Sequence, residues 1–97
     1  MKYVQAIATM VTDKVAVKRA NWDNEFIYHV PKNAYPARTG VAKQYFGEDA
    51  LVPYEAYIAK KTRSDKVDIY QLNTPDMAAE DWEVVDLGQT NTKGSKI

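Results

Sequence analysis

The chain has no cysteine among its 97 residues and only one histidine, His29. Disulfides, thiolate nucleophiles and cysteine-ligated zinc are thereby excluded, and so is any metal site built on three imidazoles. A surplus of one charge sign is missing too: 13 basic side chains balance 13 acidic ones, for a formal net charge of zero. Proteins that wrap DNA or RNA project a strong positive field, so no nucleic-acid partner is expected. A small anionic ligand remains compatible with that balance, because a few local cations suffice to hold it. Long apolar runs are also absent. Nothing approaches the roughly 18 residues of a membrane span, and the opening "MKYVQAIATMV" lacks the extended apolar segment and small-residue cleavage site of a secretory leader. The expected location is the cytoplasm, with no membrane partner.

Enzyme signatures are equally sparse. The phosphate-cradling patterns GxxxxGK[ST] and GxGxxG do not occur, nor does the GxSxG nucleophile elbow. Glu48-Asp49 and Glu80-Asp81 are adjacent in sequence, and adjacent side chains on a helix or strand point in different directions, so neither pair forms an acid/base couple. The chain reads as a non-enzyme that uses no cofactor.

What is abundant is aromatic surface: seven Tyr, two Trp and two Phe. The length and 45% hydrophobic content suit one small domain with a modest core. Tyr3, Ile7, Met10 and Val11 recur at helical spacing and predict an N-terminal helix broken at Thr12-Asp13-Lys14. "VAVKRA" (15–20) and "EFIYHV" (25–30) alternate as strands, the first with Val15, Val17 and Arg19 on one face, the second with Phe26, Tyr28 and Val30. The intervening "NWDN" then forms a hairpin loop, in which Asp23-Asn24 tolerate left-handed backbone.

Residues 31–53 are punctuated by Pro31, Pro36, Gly40, Gly47 and Pro53 and read as a loop-rich segment, with a turn or two of helix in "GVAKQYF" stopped by Gly47. "YEAYIAK" (54–60) and "KVDIY" (66–70) predict a second hairpin, with Tyr54 and Tyr57 on opposite faces, so that at most one lines a given pocket. "TPDMAAED" carries helix-start chemistry: Thr74 at the N-cap, Pro75 at the first helical position and Asp76 in the first turn. "DWEVV" closes the domain as a strand, and Met77 and Trp82 are assigned to the core. The order implies an α+β fold: an N-terminal helix and a mainly antiparallel sheet of about five strands. A single ligand-binding domain over 1–87 and a flexible tail over 88–97 are expected.

Two groups of residues join a flat ring to short polar groups: Trp22 with Asp23 and Asn24, and Tyr70 with Asn73, Thr74 and Asp76. Recognition of a nucleobase and ribose needs that combination, a π-face for stacking and fixed donors and acceptors for edges. The same rings also suit a plain core, and the Asp and Asn residues suit turns.

The stretches "KVAVKRANWDNEFIYHVP" and "YQLNTPDMAAEDWEVV" resemble the second anti-Thoeris family of small phage proteins. That family's pattern runs from an early aromatic through V-x-R-x-x-W-N/D into an apolar strand and ends in W-x-x-S-x-x-D-M-L-A-E-D-W. Tyr3 matches the early aromatic, Arg19 and Trp22 match the first segment, and Tyr70, Asn73, Asp76, Met77, Ala79, Glu80, Asp81 and Trp82 match the last. The similarity covers roughly residues 1–86 and is weakest over 31–53. Tyr70 stands where the family has tryptophan, and Asn73 where it has serine, which bears on ligand preference.

The resemblance implies a homo-oligomeric sponge, a dimer or tetramer, that sequesters cyclic ADP-ribose signals made by TIR-domain enzymes and in some members holds cyclic dinucleotides at separate sites. It would act in the cytoplasm of the infected host without cleaving its ligand. The expected contacts are Tyr3, Arg19, Trp22, Asp23, Asn24, Tyr70, Asn73, Thr74 and Asp76, with free N–H groups at 75–77 offered to an anion. Arg19 is either the phosphate cation or one half of an ion pair, and Asp76 either meets ligand or caps its helix. A protein that blocks a defence effector by direct contact is the alternative.

Overall fold

The computed structural model describes residues 1–87; the expected tail at 88–97 lies outside the described residues. Helix α1 spans Tyr3–Asp13 and ends where Lys14 turns left-handed at φ 56°. Its inward stripe is Tyr3, Ala6, Ile7 and Met10, a spacing that keeps one face on the sheet. Ala6 takes a place that the sequence assigned to Val11, which is exposed.

Five strands form the body of the protein: β1 (Ala16–Arg19), β2 (Phe26–Val30), β5 (Tyr57–Lys61), β6 (Val67–Ile69) and β7 (Trp82–Val85). Two more, β3 (Asn33–Pro36) and β4 (Leu51–Tyr54), pair separately around helix α2 (Gly40–Phe46), and helix α3 (Thr74–Ala78) precedes β7. The main sheet runs β6-β5-β2-β1-β7 with every neighbour antiparallel. The architecture is thus the α+β domain expected, one N-terminal helix on a five-stranded antiparallel sheet.

Register sets the two faces. Val17 lies opposite Ile27 and Val84, Arg19 opposite Trp82, and Ile27 opposite Lys60, and directly opposed side chains share a face. Helix α1 packs on that face, and Ala6, Met10, Val17, Ile27 and Trp82 close a dry core there. Fully burying each of the larger side chains contributes about 1.5–3 kcal/mol. Phe26 and Tyr28 point the other way and stack on each other with ring centroids 6.0 Å apart. Phe26, Tyr28 and Val30 thus share one face of β2 as expected, and the core takes Ile27 from the other.

Residues 31–53 differ most from expectation. They form an arm, β3-α2-β4, rather than a loop-rich segment, because Pro36 and Pro53 sit in strands that join no second neighbour and so need no further N–H donors. The short helix occurs where "GVAKQYF" predicts it, capped by the Thr39 hydroxyl and stopped at Gly47, φ 115°. Neither β3 nor β4 joins the main sheet. The Cα radius of gyration is 16.3 Å, against about 12–13 Å for a compact chain of this size. A second correction follows at Glu55-Ala56, where the expected strand 54–60 breaks into β4 and β5.

Candidate functional site

Three tryptophan and tyrosine rings meet Trp82 or its neighbours where α1, the β1–β2 loop and α3 converge. Trp82 is 2% exposed, and its indole N–H donates to the Asp76 carbonyl at 2.9 Å, which satisfies its one polar atom inside the core. Tyr3 packs on it with centroids 5.6 Å apart. Trp22 meets it edge to face at 5.3 Å and meets Tyr70 at 6.2 Å. Over the Trp22 ring, 4.3 Å from its centroid, stands the Lys60 ammonium. The ring's quadrupole attracts that charge. Trp22 reaches this position because the turn that carries it is pinned: its N–H bonds to the Arg19 carbonyl at 3.0 Å, and Lys18 Nζ donates to its carbonyl at 2.9 Å.

Beside the rings lies a charged cluster. Asp76 is 6% exposed. One carboxylate oxygen accepts from Arg19 Nη1 at 2.8 Å and the other from the Tyr70 hydroxyl at 2.8 Å. Arg19 Nε also donates to Asp81 at 2.6 Å, so a single guanidinium bridges two acids in the fork geometry that arginine alone provides. Arg19 holds the Asp81 carboxyl below its usual range, and the hydrogen bonds it donates to Asp81 and Asp76 raise Arg19 in return. Burial, then the hydrogen bond to Asp76, pushes the Tyr70 phenol far above its ordinary value. Burial and the Asp76 charge raise Tyr3 less strongly.

Helix α3 begins one residue earlier than the sequence suggests. Asn73, not Thr74 or Asp76, is the cap: its side-chain oxygen accepts from the Asp76 N–H at 2.8 Å. This removes the expected anion seat at 75–77. Pro75 has no N–H, that of Asp76 is held by Asn73, and that of Met77 bonds to the Asn73 carbonyl at 3.0 Å. Met77, expected in the core, is 54% exposed, because α3 turns its Asp76 side inward instead.

Of the nine residues singled out in the sequence, six converge: Tyr3, Arg19, Trp22, Tyr70, Asn73 and Asp76. Thr74 sits on the exposed side of α3. Asp23 is exposed in the β1–β2 loop. Asn24, left-handed at φ 57°, faces away: its side-chain amide donates to the Arg63 carbonyl at 3.0 Å, and Lys61 Nζ donates to its side-chain oxygen at 3.0 Å. It ties two loops together. Lys60 was not picked out by the sequence reading. The available signal was a lysine in phase with Ile58 on an alternating strand, hence on the helix-covered face. Two open clefts, of about 610 and 540 Å³, lie elsewhere and are lined by none of the nine.

The family model of the Thoeris anti-defense 2-like domain matches residues 1–85, and the chain belongs to that family. Its function is accordingly anti-Thoeris defence. Comparison with curated proteins finds no significant match. No helix among the described residues is long and apolar enough to cross a membrane.

Proposed function

We propose that the domain acts as a sponge: it binds the cyclic ADP-ribose signal made by TIR-domain enzymes and holds it uncleaved, in the cytoplasm of the infected host. The observation that carries this reading is the Lys60 ammonium 4.3 Å over the half-buried Trp22 ring. A base stacked on the indole displaces the ammonium sideways, toward the pyrophosphate that the same ligand carries. Among the described residues Lys60 forms no ion pair with a carboxylate, whereas Arg19 is already committed to Asp76 and Asp81, so Lys60 is the better first contact for phosphate. Asp23 and Thr74, both exposed, supply acceptors for ribose hydroxyls, and Tyr3, Tyr70, Asn73 and Asp76 fix the wall behind Trp22.

Retention without cleavage suits this chemistry. The buried carboxylate of Asp76 accepts two hydrogen bonds, from Arg19 and Tyr70, which fits it to orient its neighbours rather than to activate water. Tight holding rests on stacking and fixed polar contacts.

The reading includes self-association through the arm. Val41, Tyr45 and Leu51 are 76%, 82% and 63% exposed near its tip. An isolated two-stranded hairpin is marginal in water, and a second copy is the occupant that would cover this apolar tip. Calorimetric titration with cyclic ADP-ribose isomers and cyclic dinucleotides, followed by chromatography of the released ligand, tests the proposal. Saturable binding with the same molecule recovered is expected. Cleaved ligand, or no binding by any member of the panel, would overturn it.

A further inference from the structure

We propose that Lys18 is a positioning residue for ligand binding at Trp22, its ammonium holding the β1–β2 loop so that the indole is fixed before a ligand arrives. The proposal rests on the reading of Trp22 as the stacking surface and adds the group that sets it in place. Lys18 lies opposite Glu83 and alternates with Val17, so its side chain leaves the sheet on the face away from α1. From there Nζ reaches under the loop. It donates to the Trp22 carbonyl at 2.9 Å and to the carbonyls of Arg19 and Ala20 at 3.4 Å each, and it stands 3.4 Å from a Glu83 carboxylate oxygen. An ammonium has three rotatable donors on one atom, so carbonyls that converge on a point suit it better than they suit the flat fork of arginine.

The loop over 20–25 closes one turn of its own, from the Trp22 N–H to the Arg19 carbonyl at 3.0 Å, and that carbonyl is one of the three that Lys18 reaches. Its far end is tied separately. Lys61, which lies opposite Phe26 and so rises from the same face as Lys18, donates to the Asn24 carbonyl at 2.8 Å and to its side-chain oxygen at 3.0 Å. Trp22 thus stands between two ammonium anchors, and Lys18 is the one bound to its own carbonyl. With Glu83 beside it and its side chain 24% exposed, Lys18 acts through the loop rather than on the ligand. A loop that must be ordered at the moment of binding subtracts from affinity, and the loss shows chiefly as faster dissociation. A loop already fixed avoids that loss.

Lys18→Met keeps the apolar stem and removes the ammonium. In stopped-flow and calorimetric titration with cyclic ADP-ribose isomers this variant is expected to bind about tenfold more weakly, mainly through faster dissociation. NMR relaxation of the Trp22 indole N–H is expected to show lost order in the free variant while Trp82 stays fixed. Lys66→Met, exposed between β5 and β6, removes the same charge and is expected to change neither affinity nor order. Because the chain has no cysteine, Lys18→Cys is alkylated at that position alone. Aminoethylation rebuilds the ammonium and is expected to restore affinity and order, whereas propylation, of equal length and no charge, restores neither. Full affinity in Lys18→Met, weaker binding with the Trp22 indole still ordered, or no recovery on aminoethylation would overturn the proposal. If the unaltered chain binds no cyclic ADP-ribose isomer, the sponge reading falls, and relaxation of Trp22 in Lys18→Met and the two alkylated forms still decides whether Lys18 fixes the ring.

Discussion

Trp82 in the body is 2% exposed, and Tyr45 at the tip of the arm is 82% exposed. Both are large aromatic side chains on short elements, yet one is enclosed by α1, β1, α3 and the Trp22 loop while the other meets solvent. The body brings its polar atoms inside with their partners: the Trp82 indole on the Asp76 carbonyl, and the Asp76 carboxylate between Arg19 and Tyr70. Among the described residues, Arg38 and the tyrosines of the arm have no such partners. The difference teaches that the fold is held by one end of the molecule and that much of the surface free to recognise something else lies at the other.

The comparison breaks most severely at Trp82. Trp82→Ala empties the core and orphans the Asp76 carbonyl, and denaturant unfolding is expected to show a loss of about 3–5 kcal/mol. Asp76→Ala leaves Arg19 with Asp81 alone and the Tyr70 hydroxyl unpaired. Because Arg19 stays partly solvated, the expected loss is about 2–3 kcal/mol.

High pH sharpens the same contrast through Tyr70. Its phenol in the folded protein is held above the ordinary value of 10.0, and the unfolded chain releases that proton near pH 10. The unfolded state thus binds fewer protons above that point, so the stabilisation is complete below pH 10 and is lost as pH rises toward the folded value. Melting temperatures followed upward from pH 9 should fall, and fall less in Tyr70→Phe. Asn73→Ala removes the α3 cap and should cost about 1 kcal/mol. Tyr45→Ser at the arm tip is expected to change monomer stability by no more than about 0.5 kcal/mol while reducing self-association in analytical ultracentrifugation.

The body was largely legible in the sequence because its signals are local. Alternation in "VAVKRA" and the helical spacing of Tyr3, Ile7 and Met10 place strand and helix without reference to the rest of the chain. The arm was not, since Pro36 and Pro53 mimic loop punctuation and are admitted here because β3 and β4 have only each other. In the candidate site, Arg19, Trp22 and Asp76 could be singled out by residue type and motif. The partnership of Arg19 with both Asp76 and Asp81 could not, because it depends on which way α3 turns. Lys60 was hidden for a similar reason: alternation gives its face of β5, but its meeting with Trp22 joins that strand to the β1–β2 loop, and no short-range pattern records the contact.

The edge-to-face meeting of Trp22 and Trp82 at 5.3 Å has an optical consequence. These are the chain's only two indoles, and at that separation their electronic transitions couple, so near-ultraviolet circular dichroism carries a signal that belongs to the pair. One indole is sealed and fixed, the other half-open to solvent. Whatever settles on the open one shifts a coupled spectrum whose other partner serves as an internal reference, so the protein comes with its own calibrated reporter of occupancy.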